Sequence, residues 1–135
     1  MARLYAIIYC FENSVRDLIR ARMSEKDVNW WSNSSVPARI RASAESRMKD
    51  ADDNSWLEGV NRDILGFVDF GGLCAIITNN WSDFEDLIPS QHWLNQRFDE
   101  LERARNFIAH NRMLSSLEFS RLEMYVGDWN RQVGL

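Results

Sequence analysis

The chain has 135 residues, of which 45% are hydrophobic and 12% aromatic, including six Trp. That supply of apolar side chains is enough for a single domain, residues 1–135, with a real core, and it excludes a disordered chain. The net charge of −4 and pI near 5.2 exclude indiscriminate nucleic-acid binding, because phosphate affinity comes mainly from Lys and Arg.

The first predicted element carries Leu4, Ile7, Ile8, Phe11, Val15, Leu18 and Ile19 at the helical period, giving an amphipathic helix from about Ala2 to Met23. Glu12 and Arg16 interrupt its apolar start, and no small-residue cleavage pattern follows, so it is expected to be a helix and not a signal peptide. No run approaches the roughly 18 apolar residues needed to span a bilayer, and a cytoplasmic location without membrane contact is the expectation. Arg16 and Arg20 stand at i and i+4 on the polar side, suited either to solvent or to an RNA backbone or second subunit.

Ser24 to Val36 break the pattern, and Trp30-Trp31 within them are expected to pin the connection to the core. Pro37 suits the first turn of a second helix reaching about Asp50. Ile40, Ala42, Ala44 and Met48 are its only apolar positions, so it belongs on the surface, with Arg39, Arg41, Arg47 and Lys49 clustered against Glu45. A turn is expected over 50–55. Trp56, Leu57, Val60, Ile64 and Leu65 then restart a helical period. Asp69 suits an N-cap ahead of Gly71-Gly72, a pair that lacks the Lys and spacing of a phosphate-cradling loop and suits close packing instead. Leu73, Ile76, Ile77, Trp81, Phe84, Leu87 and Ile88 form an apolar helix expected to break near Asn79-Asn80.

Ser90 caps the next helix, which carries Trp93, Leu94, Phe98, Leu101, Ala104 and Ile108 as one buried stripe. His92 near its start is taken as structural. Ser115-Ser-Leu-Glu118 is a capping box that opens a last helix with Leu117, Leu122, Tyr125, Val126, Trp129 and Val133. Cys10 and Cys74 each lie in an apolar helical stretch, away from each other and from both histidines, and so are expected to be buried free thiols and not metal ligands. No strand-like alternation and no repeat occurs. The fold class is all-α: an up-and-down bundle of about five helices.

The chemistry-bearing stretch is Arg103-Ala104-Arg105-Asn106-Phe107-Ile108-Ala109-His110, near the end of the fourth predicted helix. Asn106 and His110 are i and i+4, about 40° apart on a helix, and Arg105 is about 140° round from His110. An imidazole can take and give a proton near neutral pH, and a guanidinium matches a phosphate and keeps its charge. With an amide to orient them, these groups suit phosphodiester cleavage without a metal. The alternative is a helix C-terminus capped by His and Arg. Glu102, four residues before Asn106, is placed to reach Asn106, Arg103 or Arg105.

The segment Arg105-Asn-Phe-Ile-Ala-His110 resembles the defining motif of HEPN domains: Arg, a polar residue, then His a few positions on. Phe67-Val-Asp-Phe-Gly71-Gly-Leu, Ile76-Ile-Thr-Asn-Asn-Trp81 and Phe84 resemble the middle helix of the HEPN group found in eukaryotic transcript-surveillance endonucleases and bacterial defence proteins. The similarity extends from the first helix to Trp129.

That resemblance implies a homodimer whose two motif helices face each other across a cleft, acting as an endoribonuclease with RNA as substrate and no metal or other cofactor. Arg105, Asn106 and His110 would be catalytic, with Glu102 and Arg103 supporting them. It also implies a toxin or antiviral defence setting, with a separate protein that neutralises or regulates the chain. The alternative it implies is a non-catalytic RNA-binding or dimerisation module, which the acidic balance favours.

Overall fold

The computed structural model describes residues 2–53, 63–109 and 115–134. Among the described residues the chain is an all-α bundle with no strand: α1 (Ala2–Lys26), α2 (Ala38–Asp53), α3 (Phe70–Asn79), α4 (Gln91–Ala109) and α5 (Ser116–Val133), with 3-10 turns at Trp30–Ser32, Ile64–Phe67 and Trp81–Asp83. Helix α1 packs against α3, α4 and α5, while α2 lies against the turn Ile64–Phe67.

The helical period of α1 explains its place at the centre. Leu4, Ile8, Phe11, Val15, Ile19 and Met23 are all buried on one stripe. Phe11 meets Phe70 of α3, Phe98 of α4 and Trp129 of α5 at ring-centroid distances of 5.9, 5.2 and 5.5 Å. Rings this close add attraction beyond the area they bury. The indole Nε1 of Trp129 donates to the Ser14 hydroxyl at 3.1 Å, so the cluster carries no unpaired indole donor. Four helices are thereby tied at a single point, and Glu12, the residue after Phe11, inherits a fixed position.

The predicted caps are all present. Asp69 Oδ1 accepts from the Gly72 amide at 2.8 Å, Ser90 Oγ from the Trp93 amide at 3.0 Å, and Ser115 Oγ from the Glu118 amide at 3.2 Å. Helix α3 stops at Asn79-Asn80 because the Asn80 amide takes the carbonyls of Ile76 and Ser35, at 2.8 and 2.7 Å. Trp30 is buried and Trp31 donates to Glu45 Oε1 at 3.1 Å, so the Trp pair pins its connection as expected.

Other expectations are corrected. Asp50–Asp53 continue α2 instead of turning, since the Asn and Ser that signal a stop come only after Asp53. Cys10 is exposed, being about 200° round the helix from the buried Ile8. Leu117 is 82% exposed, five residues and about 140° from the buried Leu122. Arg16 is not on a solvated face but inside the structure, as described below. The expected helical restart at Trp56, Leu57 and Val60, and residues 54–55 of the expected turn, lie outside the described residues.

The paired glycines differ. A Cβ at Gly72 would stand 2.5 Å from Cγ1 of buried Val68 and 3.4 Å from Ile40, whereas one at Gly71 would meet only Asp69 Oδ1 at 3.8 Å. Gly72→Ala is therefore expected to destabilise the fold by about 1–3 kcal/mol through overpacking. Gly71→Ala should stabilise it by roughly 0.5–1 kcal/mol through helix propensity. Chemical denaturation of the two variants checks the difference, and equal midpoints would contradict the packing described.

Candidate functional site

Glu12 is the buried charge around which the candidate site is built. It is 9% exposed and stands four residues after Ile8, on the apolar stripe of α1. Its two oxygens are divided: Oε2 accepts from Arg16 Nη2 at 3.3 Å and Oε1 from Arg105 Nη1 at 3.2 Å. A carboxylate in that position is tolerated only because it is paired on both sides.

Arg16 is committed to structure. Besides Glu12 it donates from Nε to the Leu65 carbonyl at 2.9 Å, from Nη2 to the Val68 carbonyl at 3.0 Å, and from Nη1 to Asn13 Oδ1 at 3.2 Å. It ties α1 to the turn Ile64–Phe67 and to the residues leading into α3. Beside it Arg20 pairs with Asp17 and Asp63.

Arg105 is the half-open member. Its side chain is 31% exposed, and its guanidinium carbon lies 4.9 Å from the centroid of the Phe70 ring, a cation–π contact. One edge of the fork is thus held by Glu12 and one face by Phe70. Two guanidiniums share one carboxylate, so the trio carries one uncompensated positive charge. It lines a groove of about 690 Å³ along α1, together with Tyr5, Tyr9, Asn13, Asp63 and Gly66.

Of the other expected site residues, Asn106, Glu102 and Arg103 lie away from this groove. Asn106 is exposed and does not line the Arg105 groove, being about 100° further round α4. Glu102 lines a second groove, between α3 and α4, with Cys74, Asn95 and the exposed His92. Burial, and then the Glu102 charge, push the Cys74 thiol up to about 11, which keeps it protonated and unreactive at neutral pH. Arg103 is exposed, pairs with Asp99 at 3.0 Å and lines a third groove beside α5. Of the three expected partners of Glu102, which were Asn106, Arg103 and Arg105, the two guanidiniums take Asp99 and Glu12 instead. His110, with Asn111 and Arg112, lies outside the described residues. No group of three His, Cys, Asp or Glu among the described residues is placed to hold a metal ion, and no described helix is long and apolar enough to cross a membrane.

Residues 7–134 match the family model described as Swt1-like HEPN. The chain belongs to the Swt1-like HEPN family. No curated protein and no solved structure matches it. Arg105, in the stretch that resembles the HEPN motif, is the residue clamped between Glu12 and Phe70. Sequence reasoning missed both partners, although one signal was present: Glu12 is a charge at i+4 from Ile8 and i−4 from Arg16, on the core side of an apolar stripe.

A double-mutant cycle on Glu12→Gln and Arg105→Gln tests the clamp. Unfolding free energies should show a coupling of about 1–2 kcal/mol, as expected for a partly buried charge pair. Strictly additive losses would mean that the two side chains do not restrain each other.

Proposed function

We propose that this HEPN domain is a metal-independent endoribonuclease acting at a cleft between two copies of the chain. The observation that carries the reading is the clamped, half-open Arg105, which presents an anchored guanidinium to a groove of a domain whose motif also supplies a His.

In this mechanism His110 takes the proton from a ribose 2′-hydroxyl as its oxygen attacks the neighbouring phosphorus. The new O2′–P bond forms and the bond from phosphorus to the 5′ oxygen breaks. The departing oxygen takes a proton from the second histidine of the pair. The products are a 2′,3′-cyclic phosphate and a free 5′-hydroxyl. Arg105 neutralises the extra charge on the phosphorane, and its prior anchoring to Glu12 and Phe70 spares the cost of orienting it during reaction.

Asn106 and Arg103 are exposed on α4, where a second copy can meet them. In the proposed cleft Asn106 orients the imidazole or the substrate, with Glu102 and Arg103 as supporting residues. A two-fold interface supplies two of each group from one gene. The setting that fits such an enzyme is a cytoplasmic toxin or defence system, held in check by a separate protein.

His110→Ala and Arg105→Ala should each lower RNA cleavage at least about 100-fold, the scale of a lost proton-transfer or charge-stabilising group, while circular dichroism stays unchanged. Cleavage in EDTA should equal cleavage without it. Equal cutting by the variants, or loss in EDTA, would remove the mechanism. The acidic balance favours a second reading, a non-catalytic RNA-binding or dimerisation module. RNA binding by the parent without cleavage, retained in His110→Ala, would select it.

A further inference from the structure

The groove that holds Arg105 has a second feature that cleavage chemistry does not use. Tyr5 and Tyr9 line it while remaining 53% and 57% exposed, on successive turns of α1 and therefore about 6 Å apart along the axis. Exposed aromatic rings one turn apart on a helix beside a charged groove have no packing role in the bundle: the buried stripe of α1 passes through Leu4 and Ile8 instead. The groove is also polarised. Midway along it Glu12, Arg16 and Arg105 leave one positive charge, whereas at the far end Arg20 faces two carboxylates, Asp17 and Asp63.

We propose that Tyr5 and Tyr9 are a base-stacking subsite for unpaired nucleotides next to the phosphate held at Arg105, so that the substrate is single-stranded RNA. This deepens the nuclease reading and rests on it. The occupant follows from charge and shape. Among the described residues the groove is lined towards the start of α1 by Tyr9, Ile8 and Tyr5 and carries no carboxylate there, whereas towards Arg20 it carries Asp17 and Asp63, so a strand crossing Arg105 meets no like charge in the direction of the two rings. Every base offers a π face to a phenol ring, which makes such a subsite tolerant of sequence, while paired bases in a duplex cannot present their faces. The volume of about 690 Å³ is of the size that takes a small ligand or a nucleotide.

The test compares binding of a fluorescent single-stranded oligoribonucleotide and its duplex to the full chain in the His110→Ala background, alone and with Tyr5→Leu/Tyr9→Leu, Tyr5→Phe/Tyr9→Phe or Arg105→Gln. Light scattering on each variant reports the oligomeric state. The expected result is a loss of about tenfold or more per ring for Leu on the single strand, no loss for Phe, no change on the duplex and no change in oligomeric state. Single-strand binding by the Leu variant equal to that of the parent, with Arg105→Gln weakened, overturns the stacking subsite and leaves the phosphate site standing. Absence of single-strand binding by the parent overturns both. Tighter parental binding to the duplex overturns the substrate class. Loss in the Leu variant that accompanies dissociation into monomers assigns the two rings to contact with a second copy, and the proposal falls.

Discussion

One carboxylate divided between two guanidiniums fixes the position of Arg105, the residue on which the proposed site rests. Glu12 cannot leave the interior without stranding Arg16, which in turn holds the carbonyls of Leu65 and Val68. It cannot remain there ionised without donors on both sides. Arg105 is the second donor, and it comes from a helix 93 residues away. The arrangement links α1, the turn Ile64–Phe67 and α4 through hydrogen bonds, while Phe11, Phe70, Phe98 and Trp129 link α1, α3, α4 and α5 through rings. The polar and aromatic ties meet at Phe70, which packs on Phe11 and carries the Arg105 guanidinium.

Such an arrangement is a costly way to gain stability. Buried ion pairs repay their desolvation only when every donor and acceptor is used, and an apolar core of similar volume often does as well. What it supplies is direction. Arg105 has its Glu12 edge and its Phe70 face occupied, which leaves the rest of the fork to a ligand in the groove. A long side chain that must be ordered on binding costs affinity, and one ordered beforehand does not. The division of charge also explains how an acidic domain can present a positive point. Compensation is local: one negative group serves two positive ones near the middle of the groove, and two negative groups serve one at its end.

The fold was legible because its signals are local. The period of α1, the caps at Asp69, Ser90 and Ser115, and the break at Asn79-Asn80 each follow from side chains acting within four residues of themselves, with Ser34 and Ser35 as distant partners of the two asparagines. Errors arose where an apolar residue was counted without its angle: Cys10 and Leu117 are both off the buried stripe. The family was also legible, from the Arg–His motif and the segment around Gly71. The environment of Arg105 was not. Its partner is distant in sequence, and nothing in the spacing of α4 distinguishes a groove facing α1, where Arg105 lies, from those facing α3 and α5, where Glu102 and Arg103 lie. Arg16 misled for the same reason: its acceptors are backbone carbonyls 49 and 52 residues on, and backbone carbonyls carry no sequence signature.

The claim that Arg105 meets an RNA phosphate is tested most directly by the salt dependence of RNA binding. For a single strand, each neutralised phosphate contributes about 0.7 to the slope of log affinity against log salt. Removing the charge in Arg105→Gln should lower that slope by about 0.7 per subunit while Glu12 stays paired with Arg16. An unchanged slope would show that no phosphate is met at Arg105, and would contradict the account.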